Sequence, residues 1–486
     1  MTRSSKTVSV LLLALLLTGA VTACGESAES IPAETAAQTE TEAPETEELI
    51  KPDLPEKDYG GATFTTFVRK SDSYALDLHV DEMDGDTMTD AVFQRNSRVA
   101  EQFNVKIAFH RGEDDFGSDA KNVVLAGDPS YDVLMIHGRF VFPYALEGLL
   151  YDWNTELPYV GLDNPWWTAD ARQAFSLCNC LFAMNGDLSY GNIGSTKCMV
   201  FNKKICAELD IAYPYQDVLD GKWTFDNFSQ LVKTCSADLN GDGTIDITND
   251  RYGYVTTHWS GPIQVLYSAN QRISKKDKDD LMYISLNTET TVNLFRDFFA
   301  LTDGAECYIR MEDANTDTEI AFREGRALFY DPNIGAVKNF RDMEDDFGII
   351  PWPKYTEDVD GYYSNVDAGC NLFCVPISDA DPERASIILE ALSYEGWRTV
   401  IPTYYDVVLS SKYSRDEESA KMLDIICAGR VFDIGYYFYD NSNDLNSIGW
   451  FMAHDKTHNF ASLYAKYEKT VLKQYEKVNK TFQELN

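Results

Sequence analysis

Tyr131-Asp132-Val133-Leu134-Met135-Ile136-His137-Gly138-Arg139-Phe140-Val141-Phe142-Pro143-Tyr144-Ala145-Leu146-Glu147-Gly148-Leu149-Leu150 holds, in one stretch, the unit from which the fold is built. Tyr131 to Ile136 is an almost continuous apolar run of strand length, as expected of a strand covered on both faces. His137, Gly138 and Arg139 interrupt it. Phe142 to Leu150 reads as a helix. Strand, short polar turn and helix in that order form the repeating unit of an open α/β sheet, and such sheets bind ligands beyond the carboxyl ends of their strands. His137 and Arg139 are therefore candidate ligand contacts; the alternative for Arg139 is a solvated side chain on an exposed loop.

The same alternation continues on both sides. Ala62 to Val68 alternates as a strand, Asp90 to Phe103 carries Ala91, Val92, Val99, Ala100 and Phe103 on one helical face, and Val105 to Phe109 is a strand. Lys121 to Ala126 is a short helix. Further on, Cys198 to Phe201, Ala327 to Tyr330 and Leu372 to Val375 read as buried strands. Lys203 to Leu209, a segment opened by Thr224 as N-cap, Pro382 to Leu392 and Phe460 to about Leu485 read as helices. The pattern predicts an α/β protein with a largely parallel sheet.

The amino-terminal region has a different composition. Arg3 and Lys6 precede an apolar run from Val8 to Val21, too short for a comfortable membrane span, which ends in Ala23-Cys24. This pattern resembles a bacterial lipobox, and predicts cleavage before Cys24 and a lipid on Cys24; the alternative is an ordinary signal peptide with a chance cysteine. Residues 25 to 57 are rich in Ala, Thr, Ser, Pro and Glu, including Glu40, Glu42, Glu45, Glu47 and Glu48, and have too few large apolar side chains to offset ordering entropy. They read as an acidic tether. The expected location is the cell surface, with the chain lipid-anchored to the outer face of the cytoplasmic membrane.

From residue 58 the chain is too long for one core, and two domains are expected. A net charge of −36 argues against nucleic acid and against electrostatic attachment to an anionic membrane. Besides Cys24 there are nine cysteines, an odd number with no CxxC spacing, so buried free thiols are expected.

Several motifs occur in an order that resembles one family. The quoted stretch is similar to the strand, ligand loop and helix of extracellular solute-binding proteins of carbohydrate ABC transporters (family 1, maltodextrin-binding-protein-like). Val200-Phe201-Asn202-Lys203 resembles the family's first crossing between lobes, and Gly221-Lys222-Trp223-Thr224 its "WT" helix start. Phe322-Arg323-Glu324-Gly325-Arg326-Ala327-Leu328 and Asp346-Phe347-Gly348-Ile349-Ile350-Pro351 look like its later turn and second crossover. The resemblance covers most of the chain from Asp58 to about Ile425. It implies a two-lobed periplasmic-binding-protein-like (type II) fold with ligand held between lobes that close by hinge bending. The implied division is a signal peptide at 1–23, a tether at 24–57, one lobe at 58–195 and 362–397, and the other at 196–361 and 398–486.

The resemblance also implies a sugar or oligosaccharide ligand, ABC permease subunits as partners, a monomer, and no catalysis. Arg139 matches a family contact position, whereas the family's acidic position falls on Gly138. Asp331 and Asn333 follow a strand end where the family often carries a stacking Trp; here the match is Ile334, which leaves Tyr330, Trp259, Tyr436 and Tyr437 as candidate platforms. Asn365 and Asp367 sit near the return crossover. Aromatic faces stack on pyranose rings, and carboxylates, amides and guanidinium groups pair with vicinal hydroxyls. A peptide or polyamine ligand is the alternative, and a surface glycan-active enzyme a more distant one.

Asp238, Asn240, Asp242, Gly243, Thr244, Asp246 and Asp250 follow the spacing of an EF-hand-type calcium loop, except that position twelve is Asn249 and the acid comes one residue late. No cofactor is required, but a structural Ca2+ is expected there; a polar Asx/Gly turn is the alternative. His454-Asp455-Lys456-Thr457-His458 has the two-His spacing of a zinc-protease helix with Asp in place of the general-base Glu, which argues against hydrolysis.

Overall fold

The computed structural model describes residues 50–312, 316–410, 417–438, 444–455 and 457–485. The expected signal peptide, Cys24 and most of the tether lie outside them. By Leu54 the chain already packs against the core, and Lys57 pairs with Glu383 at 2.8 Å.

The strands are β1 (Ala62–Val68), β2 (Val105–Arg111), β3 (Val133–His137), β4 (Met199–Asn202), β5 (Tyr252–Thr257), β6 (Ser274–Lys276), β7 (Met282–Ile284), β8 (Cys307–Arg310), β9 (Ala327–Tyr330), β10 (Phe347–Ile350), β11 (Ser364–Asn365), β12 (Asn371–Cys374) and β13 (Arg430–Val431). One sheet runs β12-β3-β1-β2 and a second β10-β4-β9-β5-β8; β11 pairs with β13, and β6 with β7.

The sheets are mixed rather than largely parallel. β1 is parallel to β2 and β3, and β5 is parallel to β8 and β9, as strand–helix alternation requires. β12 runs antiparallel to β3, and β4 antiparallel to both β9 and β10. β12 and β4 each follow a passage from the other sheet, so they enter from the opposite end. The passages fall between β3 and β4 and between β10 and β12. They meet where Thr196 bridges Val366 and Lys197 bridges Asn333, both antiparallel.

Local chemistry explains where helices begin. The helix expected from Asp90 starts at Thr87, because the Asp86 carboxylate caps it by accepting from the Met88 and Thr89 amides. It ends at Asn104, in the left-handed region. The helix expected from Phe142 spans Gly138–Leu146 and starts directly after β3, with His137 Nδ1 accepting from the Arg139 amide at 3.2 Å. Gly138 is required by close approach: a Cβ there would lie 2.9 Å from the Ala368 carbonyl oxygen and from the Tyr437 ring. The Thr224 cap forms as expected, accepting from Asn227.

One apolar core extends through both sheets and their helices, and a second gathers Phe322, Tyr330, Phe340 and Phe347 behind β9 and β10. The terminal helix Phe460–Leu485 stacks Phe460 on Phe295 at one end and Phe482 against Phe182 at the other. Among the described residues the nine cysteines are free thiols, and all but Cys427 are buried. Burial pushes the Cys180 and Cys235 thiols up to about 11, and those of Cys206 and Cys370 up to about 12.

Candidate functional site

The two passages bring together segments that are distant in sequence. Lys197 lies opposite Asn333 in an antiparallel bridge, and its amide donates to the Asn365 carbonyl at 2.9 Å. The Asp367 amide donates to the Ser195 carbonyl at 2.9 Å. Residues directly opposite share a face, and alternate residues along extended chain do too. Lys197, Asn333, Asn365 and Asp367 therefore share one face, and Asp331 lies in phase with Asn333.

This patch carries unsatisfied polar atoms. Both carboxylate oxygens of Asp331, Oδ1 of Asn333, and Oδ1 and Nδ2 of Asn365 are buried without a hydrogen-bond partner among the described residues. Such groups are costly inside a protein, and their clustering on one face makes them candidate ligand contacts. Burial raises the Asp331 carboxyl to about 6, against the Lys197 charge and the nearby Thr256, Ser260 and Tyr254 hydroxyls, which favour the ionised form. Burial pushes Asp367 the same way, but Lys197, the Gly369 amide at 2.7 Å, Arg139 and His137 together hold it below the usual carboxylate range.

Arg139 reaches this region from the other sheet. Its guanidinium lies 4.5 Å from the Tyr436 ring and 5.7 Å from the Trp259 ring, and Nη2 is buried without a partner. Tyr436 donates to Asp367 Oδ2 at 3.4 Å. Burial, with the Arg69 and Arg139 charges, depresses His137 to about 3, so it is neutral at physiological pH.

The structure thus gathers Arg139, Tyr436, Trp259, Asp331, Asn333, Asn365 and Asp367 in one neighbourhood, with His137 beside Arg139. Two expected platforms lie elsewhere. Asp331 and Asn333 share the face of the patch, so Tyr330 takes the opposite phase and packs on Phe322 and Phe340 in the second core. Tyr437 is fully buried and donates to the Val366 carbonyl at 3.1 Å, which makes it a support for the crossing strand. The sequence reading missed Lys197, whose only signal was a cation just before the apolar strand Cys198–Phe201.

The acidic loop is closed by its own amides. Asp238 accepts from Gly241 and Gly243, Asp242 from Thr244, Asp246 from Thr248 and Asn249, and the buried Asp250 from Leu239 and Asp246. Asn240 accepts from the Asp242 amide. Among the described residues no three His, Cys, Asp or Glu side chains are placed to hold a metal ion. The acid expected at position twelve sits one residue late, as Asp250, and accepts from the Leu239 and Asp246 amides. Nor do His454 and His458 share a helix face. His454 stacks on Trp450 at the end of a helix, while His458 stacks on Phe299 and faces Asp303.

No protein-family model matches the chain, and no curated protein matches it. Its structure is similar to several solved ones. An ABC substrate-binding protein from Listeria monocytogenes, in complex with cycloalternan, superposes with TM-score 0.52 at 14% identity, over 87% of this chain and 99% of that one. The GacH receptor of Streptomyces glaucescens, studied unliganded and with acarbose and an acarbose homolog, gives 0.54 at 11% identity, over 87% and 98%. The maltose/maltodextrin-binding domain MalE from Bdellovibrio bacteriovorus, bound to maltotriose, gives 0.51 at 15% identity, over 87% and 99%. At these identities the likeness establishes the two-lobed periplasmic-binding-protein-like fold. Among the described residues no helix is long and apolar enough to cross a membrane.

Proposed function

We propose that this protein is a non-catalytic receptor that captures a neutral sugar or oligosaccharide between its lobes and delivers it to ABC permease subunits. One observation carries this reading: the crossing segments present Asp331, Asn333 and Asn365 as buried, unpaired hydrogen-bonding groups beside Lys197 and Arg139. Four of the five unpaired atoms on the patch accept and one donates. Vicinal hydroxyls do both, and so fit such a set. An anionic sugar would meet Asp331 and Asp367. The three structural neighbours, solved in complex with cycloalternan, acarbose and maltotriose respectively, support the reading. Lipid attachment at Cys24 and a position on the outer face of the membrane belong to the same proposal, from the lipobox-like sequence, and a monomeric state belongs to it from the family resemblance.

Calorimetric titration of residues 58–486 with malto-, cello- and xylo-oligosaccharides tests it. Saturable binding without product formation is the expected result. Binding confined to a peptide or polyamine would overturn the sugar assignment. Ionised Asp331 is the form that accepts hydroxyl protons, so affinity should fall about tenfold between pH 7 and pH 5.

The ligand-free protein should respond to pH in the opposite sense. Burial raises Asp77 and Asp331 to about 6, and Asp187 and Asp379 to about 7, above their unfolded values. The folded state then binds more protons than the unfolded state across this window, so stability rises as pH falls from about 7 to about 5. The depressed His137 opposes this, as one group against four. Scanning calorimetry should give a higher Tm at pH 5 than at pH 7.5; a flat or inverted profile would contradict it.

Capture needs no cofactor in this reading, and the Asp238–Asp250 loop is proposed as a structural Ca2+ site on its acidic spacing. Millimolar CaCl2 should then raise the melting temperature by several degrees over EGTA, since binding stabilises by mass action. Melting temperatures within about 1 °C of each other would leave the loop a polar Asx/Gly turn.

A further inference from the structure

Two lobes joined only by crossing segments swing about them as a hinge. In this chain three further ties join the same two lobes. Residues 430–438 make the first. Towards the first sheet, Phe432 and Tyr437 meet Phe175 at 5.7 Å and 4.9 Å, and Phe438 meets Phe142 at 5.3 Å. Phe142 belongs to the helix that follows β3, and Phe175 ends the helix Ala169–Phe175, ahead of the first passage. Towards the second sheet, Asp433 accepts from the Ile273 amide at 2.6 Å and the Tyr267 hydroxyl at 3.3 Å, both just after β5.

The terminal helix Phe460–Leu485 makes the second tie. Phe460 stacks on Phe295 at 5.7 Å, in the helix Glu289–Thr302 between β5 and β8, and Asn479 bonds both backbone groups of Met282 in β7 at 2.9 Å. Near its other end Phe482 meets Phe182, on the first lobe, at 5.5 Å. The β6–β7 hairpin makes the third. It lies between β5 and β8 in the chain, yet Lys276 donates to the Gln173 and Ser176 carbonyls at 2.7 Å each, and Asp280 Oδ2 accepts from the Asn179 amide at 3.3 Å. Every ring named in these ties is buried.

We infer that residues 430–438, the terminal helix and the β6–β7 hairpin form a strap that holds the two lobes in one arrangement without ligand. Motion between domains is the default only where their interface is small or polar. Here opening would return to water aromatic rings that each bury about 150–250 Å2, and would break the Lys276 and Asp280 bonds as well. The polar groups of Asp331, Asn333 and Asn365 are then in place before a ligand arrives, which lowers the ordering that binding requires. The strap acts whichever ligand the patch takes.

Residues 51–486 form one compact unit, and spin labels on it test this. Leu125→Cys and Ile320→Cys, 58% and 41% exposed, place one label on each lobe, in the helices Ser118–Leu125 and Asp317–Arg323. Double electron–electron resonance on the ligand-free protein should give a single narrow distance population. Adding Phe482→Ala and Lys276→Ala should broaden it about twofold or add a second population, as a freed hinge does. If that variant does not fold, Lys276→Ala alone, at a half-buried position, should broaden it in the same direction. Two populations with the strap intact, or an unchanged spread once it is cut, overturns the inference. Either outcome leaves the sugar reading to its own titration.

Discussion

Asp331→Asn is expected to abolish detectable sugar binding while leaving the ligand-free protein as stable as the wild type, or more stable by about 1–3 °C. The carboxylate is fully buried, and neither oxygen has a hydrogen-bond partner in the described structure. Without ligand it is a buried charge favoured only by Lys197 and by the Thr256, Ser260 and Tyr254 hydroxyls. Neutralising it relieves desolvation. With ligand it can accept two hydroxyl protons, and hydrogen bonds to a charged group contribute about 1.5–3 kcal/mol each. Their loss corresponds to about 100-fold or more in affinity. Thermal melting with and without ligand reads both halves at once. A variant that is destabilised yet still binds would show that Asp331 holds the fold and not the sugar.

Glu390→Ala should have the largest purely structural effect. This carboxylate is 1% exposed and accepts from the Gly161 amide at 3.0 Å, Asn164 Nδ2 at 2.8 Å, Trp166 Nε1 at 2.9 Å and Trp167 Nε1 at 2.7 Å. It fastens the Pro165-Trp166-Trp167 turn to the helix Pro382–Glu395. Truncation strands two buried indole donors and two half-buried ones, so about 3–5 kcal/mol and a Tm lower by about 10 °C are expected. The surviving folded fraction should bind sugar with near wild-type affinity, because none of these residues faces the cleft patch. A Tm within 2 °C of wild type would mean that water replaces the carboxylate.

These two residues show what the sequence made legible. Alternating and apolar runs placed β1 at its observed bounds and β9 in full, because period-two burial is written locally. Helix starts were harder: Asp86 and His137 cap through side-chain geometry, and hydrophobic spacing does not record caps. The antiparallel strands were missed because strand direction depends on where the chain has come from, which is a property of the whole path. At the site, Asp331, Asn333, Asn365 and Asp367 could be named from their positions after strands. Tyr330 could have been set aside by the same alternation, since it cannot share a face with both its neighbour Asp331 and the core. Lys197 became visible only once the crossings placed it, and Glu390 only once its helix met the Trp166-Trp167 turn.

The reduced thiols have a practical consequence. Maleimide dyes react with exposed thiolate, and eight of these sulfurs are enclosed, several with ionisation pushed to about 11 or 12. The ninth, Cys427, is half-buried and accepts from the Tyr405 hydroxyl at 3.2 Å. A single cysteine engineered at the exposed Phe116 would therefore outcompete the native ones among the described residues for label. The body from residue 58 could then carry a fluorescent reporter of ligand binding with these nine cysteines left in place.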